Sequence, residues 1–185
     1  MNSNFPLGFR FHPTENQLIQ YYLIPKVNGE KLPLDAIMDL DVYQFDPEQL
    51  PMNHCELTRD NVAFFFTEST EEDNSIRATP SGYWSAYKKH VIVFEGSNII
   101  GFKNKYVFFN GRYPDGDETK WKIAEYRCSP TAIPTIDDNK NLVVCKVHHK
   151  INEEEEEEED YDELLSFDED EDENEEDDDN DDNDE

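Results

Sequence analysis

Positive charge is scarce in this chain of 185 residues. Lysine and arginine together number 16 against 45 aspartates and glutamates, which gives a formal net charge of −29. The imbalance is local, because residues 153–185 hold 25 acidic residues and no lysine or arginine. Without them, residues 1–152 carry 20 acids against 16 bases, a net charge of −4. The sequence therefore predicts a nearly balanced domain, residues 1–152, followed by a polyanionic tail. Any nucleic-acid surface on the domain must be a local cluster.

Cysteines and long apolar runs are also scarce. The three cysteines, Cys55, Cys128 and Cys145, are odd in number and widely spaced. They predict buried free thiols in a reducing intracellular compartment rather than a disulfide framework. No apolar run reaches transmembrane length, and no apolar leader segment precedes Phe5, so we expect no membrane partner.

Motifs of catalysis and metal binding are missing as well. The sequence has no nucleophile elbow and no glycine loop that could cradle a phosphate, so we predict that the protein is not an enzyme. Two fragments could supply zinc ligands, His54-Cys55 and Cys145 with His148, but no second pair completes either one. We therefore predict no metal and no cofactor.

Helical signals are confined to the first third of the chain. Thr14 and Gln17 are predicted to form a capping box, and apolar residues then follow at helical spacing. Pro25 is predicted to end this helix, and residues 35–38 to form one more helical turn. Another short helix is predicted after Asp46, an N-cap residue followed by proline at the first helical position.

Strand signals take over from Asn61. Short runs of aromatic and β-branched residues alternate with turn residues, which predicts hairpin-linked strands. The predicted strands are residues 62–67, 91–94, 99–103, 106–109, 119–123 and 142–147. Short links favour an antiparallel sheet with the helices gathered at its N-terminal side, an α+β fold.

Residues 77–109 combine this strand pattern with positive charge. Because successive side chains of a strand point to opposite faces, the stretch can bury Tyr83, Ile92 and Phe94 while cations reach out to a phosphate backbone. The alternative is an ordinary strand pair with a solvated polar face, and the pattern alone leaves both open. The cations are Arg77, Lys88, Lys89, Lys103 and Lys105.

Several landmarks occur in an order that resembles the NAC domain of plant transcription factors. They begin with G-F-R-F-H-P-T at residues 8–14 and continue through R-A-T…G-Y-W at 77–84. W…E-Y-R at 121–127 and V-C-K-V at 144–147 complete the series. The resemblance covers residues 5–150.

The resemblance implies a twisted antiparallel β-sheet flanked by a few short helices, in a nuclear DNA-binding transcription regulator. It further implies that a β-strand edge enters the major groove of double-stranded DNA and that the chain forms a homodimer or a heterodimer with other NAC proteins. The residues implied for DNA binding are Arg77, Tyr83, Trp84, Lys88, Lys89, Lys103 and Lys105. Those implied for the dimer interface are Phe5, Pro6, Leu7, Gly8, Arg10 and Gln17.

The sequence departs from the family pattern at both sites. The family reads G-Y-W-K-A-T-G, whereas this chain has Ser85 after the tryptophan and Tyr87-Lys88 in place of T-G. Asn104 replaces a family lysine, and Gln17 replaces the acidic partner of Arg10, which predicts a weaker dimer. An alternative function therefore remains open: an interaction protein that binds DNA poorly and dimerises with full family members.

The acidic tail, residues 153–185, is predicted to be disordered because self-repulsion and a shortage of apolar residues prevent a packed core. One apolar island, residues 161–167, interrupts the acidic run. Apolar residues within an acidic segment are typical of activation segments that recruit the transcription machinery. A solubilising tail with a chance apolar cluster is the alternative.

Overall fold

The computed structural model describes residues 8–58, 61–69, 75–132 and 141–150. Two of the sequence predictions concern residues outside these ranges. Phe5, Pro6 and Leu7 of the predicted dimer interface lie outside the described residues, as does the predicted disordered tail at residues 153–185.

A continuous helical segment begins at the predicted capping box. Thr14 Oγ1 accepts from the Gln17 backbone N–H at 3.2 Å, and Gln17 Oε1 accepts from the Thr14 N–H at 3.0 Å. Helix α1 (Glu15–Leu18) leads through a π-helical turn (Ile19–Leu23) into helix α2 (Ile24–Val27). The capping box is thus confirmed.

Pro25 does not end this segment, so that prediction was wrong. Proline lacks a backbone N–H, but it lies in the first turn of α2, where that donor is dispensable. The preceding π-helical turn supplies the junction between the two α-helical pieces. No helix in the described part of the chain is long and apolar enough to cross a membrane.

Two short 3-10 helices follow, at Val42–Gln44 and Pro47–Gln49. The second confirms the start predicted after Asp46. The helical turn predicted at residues 35–38 is absent, because β1 (Met38–Asp39) pairs in parallel with Phe65 and Phe66. Pairing with β2, which is distant in sequence, therefore determines the conformation at Met38.

A sheet of seven strands forms the rest of the described chain, in the order β1-β2-β7-β6-β5-β4-β3. Every pairing is antiparallel except β1 with β2, so the predicted α+β fold is confirmed. The remaining strands are β2 (Val62–Glu68), β3 (Ile76–Ala78), β4 (Gly82–Glu95), β5 (Asn98–Asn110), β6 (Asp117–Cys128) and β7 (Leu142–His149).

The sheet separates two apolar cores, as β2 shows. Phe64 and Phe66 belong to the core beneath the helices, whereas Phe65 belongs to the core on the other face. We call these faces the helix side and the opposite side. Gly101 allows the π-helical turn to lie close to the sheet, because a Cβ there would lie 2.7 Å from Ile19 Cδ1.

The packing of β4 differs from the prediction. Tyr83 is buried as predicted, but Ile92 and Phe94 are 44% and 48% exposed, and Val93 occupies the helix-side core instead. The register with β5 shifts between Lys88 and Val91 and again after Val93. Such bulges change which residues face the core, and alternation in the sequence does not reveal them.

Candidate nucleic-acid interface

The β4–β5 hairpin contains an irregular segment, residues 87–90, which we call the β4 bulge. Between its pairs at Ala86 and Val91, β4 uses five steps where β5 uses three. His90 has φ of 56°, the left-handed region that few residues other than glycine adopt. The described pairing of β3 with β4 ends at Ile76 and Ser85, followed by one bond from the Ala86 N–H to the Ser75 carbonyl at 2.7 Å, so among the described residues the β4 bulge lies at an edge of the sheet.

Lysines from three of four neighbouring strands align on the helix side. Lys88 pairs with Lys105, and Ala124 pairs with both Lys105 and Lys146. Cross-strand partners share a face, so Lys88, Lys105 and Lys146 form one row, which we call the lysine row. Neighbouring strands lie about 4.8 Å apart, so the row spans roughly 14 Å.

The sequence reasoning missed Lys122 and Lys146. Lys122 lies two residues before Ala124 in β6 and so faces the same side as the lysine row. Its Nζ atom lies 5.6 Å from the ring centroid of Tyr87, a residue of the β4 bulge. Lys146 interrupts a strand that is otherwise largely apolar, which is a visible signal, whereas Lys122 lies in a strand with several other charged residues. Only the strand register shows that they meet Lys88 and Lys105.

Tyr83 and Trp84 lie inside the domain at the start of β4. The Tyr83 ring stacks on Phe109 with 5.2 Å between centroids, and its hydroxyl donates to the Pro114 carbonyl at 3.2 Å. Trp84 is fully buried and packs against Phe108 with centroids 5.1 Å apart. In this arrangement both rings anchor β4, and their contact with DNA stays a prediction.

Arg77 reaches from β3 to a buried carboxylate on the opposite side of the sheet. Its Nη2 lies 3.0 Å from Glu125 Oε2, and the two side chains are only 11% and 1% exposed. The Tyr43 hydroxyl donates to Glu125 at 2.7 Å, and the Asn104 amide donates to it at 3.3 Å. Arg77 also donates to the Tyr106 hydroxyl at 3.2 Å. We call these five residues the carboxylate cluster.

Burial keeps the phenols of the carboxylate cluster protonated. Burial, reinforced by the Glu125 charge, raises the pKa of Tyr106 to about 12. Burial, reinforced by the Glu125 charge, raises the pKa of Tyr43 well above its usual value. Tyr43 therefore donates to the carboxylate throughout the physiological range. Burial also raises the pKa of the Cys145 thiol, which makes it an unreactive packing group, as predicted.

The other predicted contact lysines differ in their surroundings. Lys103 Nζ lies 2.7 Å from Glu15 Oε1 at the start of α1, with side-chain exposures of 4% and 43%. Lys105 lies on the same side and is also buried. Lys88 is exposed, and Lys89 donates to Ser75 Oγ at 3.0 Å. The lysines of the β4 bulge thus lie at the edge, while those of β5 are held within the sheet.

Three residues of the predicted dimer interface are described. Gly8 has φ of 87°, and Arg10 donates to the Glu56 carbonyl at 3.4 Å. Gln17 is exposed and its side chain belongs to the capping box. Arg10 and Gln17 have different partners within one chain, and the predicted contact between them across a dimer stays a prediction.

Comparison with known proteins agrees with this architecture. A family model described as No apical meristem (NAM) protein matches residues 6–128. This chain belongs to the NAC family. NAC domain-containing protein 13 of Arabidopsis thaliana is 42% identical over 127 residues, 68% of this chain and 24% of that protein. NAC domain-containing protein 96 of the same plant is 38% identical over 158 residues, 80% of this chain and 53% of that protein.

A relative from tomato is similar over a comparable part of this chain. NAC domain-containing protein 2 of Solanum lycopersicum is 35% identical over 162 residues, 83% of this chain and 58% of that protein. The chain therefore spans about a quarter to three fifths of these NAC relatives. The family match at residues 6–128 includes the β4 bulge, Lys105 and Lys122, whereas Lys146 lies beyond it.

Proposed function

We propose that this NAC chain is a nuclear transcription regulator that binds double-stranded DNA at the edge formed by the β4 bulge. The observation that carries the proposal is the lysine row beside that edge. Lys88 is exposed and pairs with Lys105 of β5, so a phosphate backbone beside the β4 bulge would meet a locally positive surface.

The geometry of the edge suits a DNA groove. The major groove is about 12 Å wide and admits β structure, and the lysine row extends inward from the edge by roughly 14 Å at the usual strand spacing. We assign phosphate contact to Lys88 and Lys89 of the bulge, with Lys105, Lys122 and Lys146 contributing charge behind them. Tyr87, which is 52% exposed, is the aromatic side chain of the bulge that can reach DNA.

The other predicted DNA-binding residues are proposed to act from within the sheet. Tyr83 and Trp84 anchor the start of β4 through their buried rings. Arg77 is proposed to secure β3 against β6 through Glu125. Lys103 contributes to phosphate contact only if its bond to Glu15 is released.

A salt titration tests the proposal. Binding of the full chain to random and to selected duplexes is measured by mobility shift, beside a Lys88→Ala/Lys89→Ala variant. Each lost phosphate contact should lower the salt slope by about one counterion. The control is Lys26→Ala/Lys31→Ala, which removes equal charge at and just beyond α2. A bulge variant with the wild-type slope would show that these lysines are not the contact surface.

We also propose that the chain dimerises through its N-terminal segment, including Gly8, Arg10 and Gln17. An uncharged partner for Arg10 gives a weaker bond than a carboxylate, so Gln17→Glu should tighten the dimer. Glutamate also suits the capping box, so α1 should persist. Sedimentation across protein concentration measures the association. An unaltered monomer–dimer balance in Gln17→Glu would reject this contact. Dimerisation without salt-dependent DNA binding would favour the interaction-protein alternative.

The acidic tail is proposed to have two effects on this function. Tethering gives its 25 negative charges a high effective concentration near the domain, and they repel phosphate, so the tail should compete with DNA. Its apolar island should recruit the transcription machinery. The same salt titration on a chain ending at residue 152 should show higher affinity, most at low salt. A reporter assay should show lost activation. Equal affinity, or retained activation, would reject the respective role.

A further inference from the structure

The backbone of the β4 bulge contains an N–H group that the strand ladder does not satisfy. In the register, Lys88 pairs with Lys105 and Val91 with Lys103, which leaves Asn104 of β5 opposite the extra residues of β4. The Asn104 side chain takes over the missing ladder contact. Its Oδ1 accepts from the His90 backbone N–H at 2.9 Å.

His90 is the residue of the bulge whose conformation needs support. Its φ of 56° is unfavourable for any residue with a Cβ, although histidine tolerates it better than most. Such a conformation persists only where the surroundings determine it. The bond from Asn104 is directed at this same residue, two positions from Lys88 and next to Lys89.

Asn104 is itself held from the other end. Its Nδ2 donates to Glu125 Oε1 at 3.3 Å, and Glu125 is 1% exposed. Glu125 also accepts from Tyr43 and is paired with Arg77, so β3, β5 and β6 meet at one carboxylate. Both contacts of Asn104 require the same orientation of its amide, with the oxygen toward His90 and the nitrogen toward Glu125.

We propose that Asn104 is a positioning residue that fixes the β4 bulge, so that Lys88 and Lys89 are presented to DNA in one geometry. The inference rests on the proposed DNA-binding function and deepens it. It also explains the departure at this position, where the resemblance implies a lysine. Lysine has no acceptor, so it could bond to Glu125 but could not receive the His90 N–H. The altered sequence of the β4 bulge and the asparagine at position 104 are therefore structurally linked, because Asn104 supplies the acceptor that His90 needs.

Two variants separate positioning from charge. Asn104→Ala removes both bonds, whereas Asn104→Lys removes the acceptor for His90 but adds a cation near the interface. A purely electrostatic role predicts that Asn104→Lys strengthens DNA binding. Positioning predicts that both variants weaken binding to a duplex selected by the wild-type protein, by about ten-fold, the loss expected from one hydrogen bond. Binding to random duplexes, which depends on charge, should change much less.

The experiment uses the full chain and two readouts. Amide hydrogen exchange at His90 should accelerate by about ten-fold or more in Asn104→Ala, with exchange in the core of β7 unchanged. His90→Gly in the Asn104→Ala background should restore part of the selected-duplex affinity, because glycine adopts a positive φ without cost. Asn98→Ala, at the exposed start of β5, is the matched control and should alter neither readout.

The outcomes distinguish this inference from the proposed function. Unchanged His90 exchange in Asn104→Ala would overturn the inference even if the wild-type protein binds DNA. Stronger selected-duplex binding by Asn104→Lys would also overturn it. A wild-type protein that binds no duplex would overturn the proposed function, and with it the presentation of lysines to DNA. Accelerated exchange together with lost discrimination between selected and random duplexes supports both.

Discussion

Two cation–carboxylate pairs lie on opposite sides of the sheet, and each includes a residue predicted to contact DNA. Arg77 meets Glu125 at 3.0 Å, with both side chains almost fully withdrawn from water. Lys103 meets Glu15 at 2.7 Å, but the Glu15 side chain is 43% exposed. The distances are similar and the surroundings are not. Adjacent residues of β5 reach the two carboxylates, since Lys103 bonds to Glu15 and Asn104 to Glu125.

The difference in burial decides what each pair can do. Removing one member of a buried pair leaves an uncompensated charge in a medium that solvates it poorly, and the cost is large. In the second pair water solvates the half-exposed Glu15 carboxylate but not the buried Lys103 cation, so breaking it should cost less than breaking the first pair. The Arg77 pair therefore belongs to the framework that holds β3 and β5 to β6. The Lys103 pair joins a buried cation of β5 to a half-exposed carboxylate at the start of α1.

The largest effect is expected on breaking the buried pair. Glu125→Gln should lower the free energy of unfolding by about 3 kcal/mol, because it leaves the Arg77 charge unpaired beneath the sheet. Arg77→Ala should also be destabilising, because it leaves the buried Glu125 carboxylate without its cation. Urea unfolding followed by fluorescence of the buried Trp84 measures both.

A matched control and a double variant complete that test. Glu118→Gln changes an exposed glutamate of the same strand and should cost almost nothing. Arg77→Ala/Glu125→Gln should be less unstable than the two single losses added together. Additive losses would show that the pair is not coupled. Unless stability is measured as well, weaker DNA binding by Arg77→Ala cannot be assigned to a lost phosphate contact.

Local features of the fold were predictable from the sequence because their causes are local. The capping box joins Thr14 and Gln17, three residues apart, and the aromatic run of β2 specifies a strand by itself. The prediction for Pro25 was wrong because of a rare local structure, and the prediction for residues 35–38 was wrong for a non-local reason. A π-helical turn precedes Pro25, and β1 forms only because β2 lies beside it.

The candidate site was less predictable, because strand register determines it. Lys88, Lys105 and Lys146 come from three strands, and their alignment requires knowing that Ala124 lies between the last two. The sequence predicts contact with DNA for Arg77 and gives no sign of its bond to Glu125, because that partner is 48 residues away. Extra residues in a bulge leave no period in the sequence, so the contact from Asn104 to His90 had no visible signal.

The smallest effect on stability is expected at the pair of Lys103 and Glu15. Glu15→Gln keeps an oxygen that can accept from the Tyr126 hydroxyl, now 3.0 Å away, and from Lys103. Only the charge is lost, both from the pair and from the favourable first turn of α1. We expect a loss of unfolding free energy below about 1 kcal/mol that shrinks as salt is added. Glu95→Gln, at the exposed end of β4, is the control.

The same variant has a second consequence that stability alone would not show. Glu15→Gln removes the carboxylate charge that neutralises Lys103, which makes this part of the helix side more positive by one charge. If Lys103 contacts DNA, the variant should bind duplexes more tightly at low salt, and the salt slope should rise by about one counterion. Unchanged DNA binding with nearly unchanged stability would mean that Lys103 is only a packing cation. A destabilisation as large as that of Glu125→Gln would contradict the contrast between the pairs. It would mean that the exposure of Glu15 does not reduce the cost of breaking its pair with Lys103.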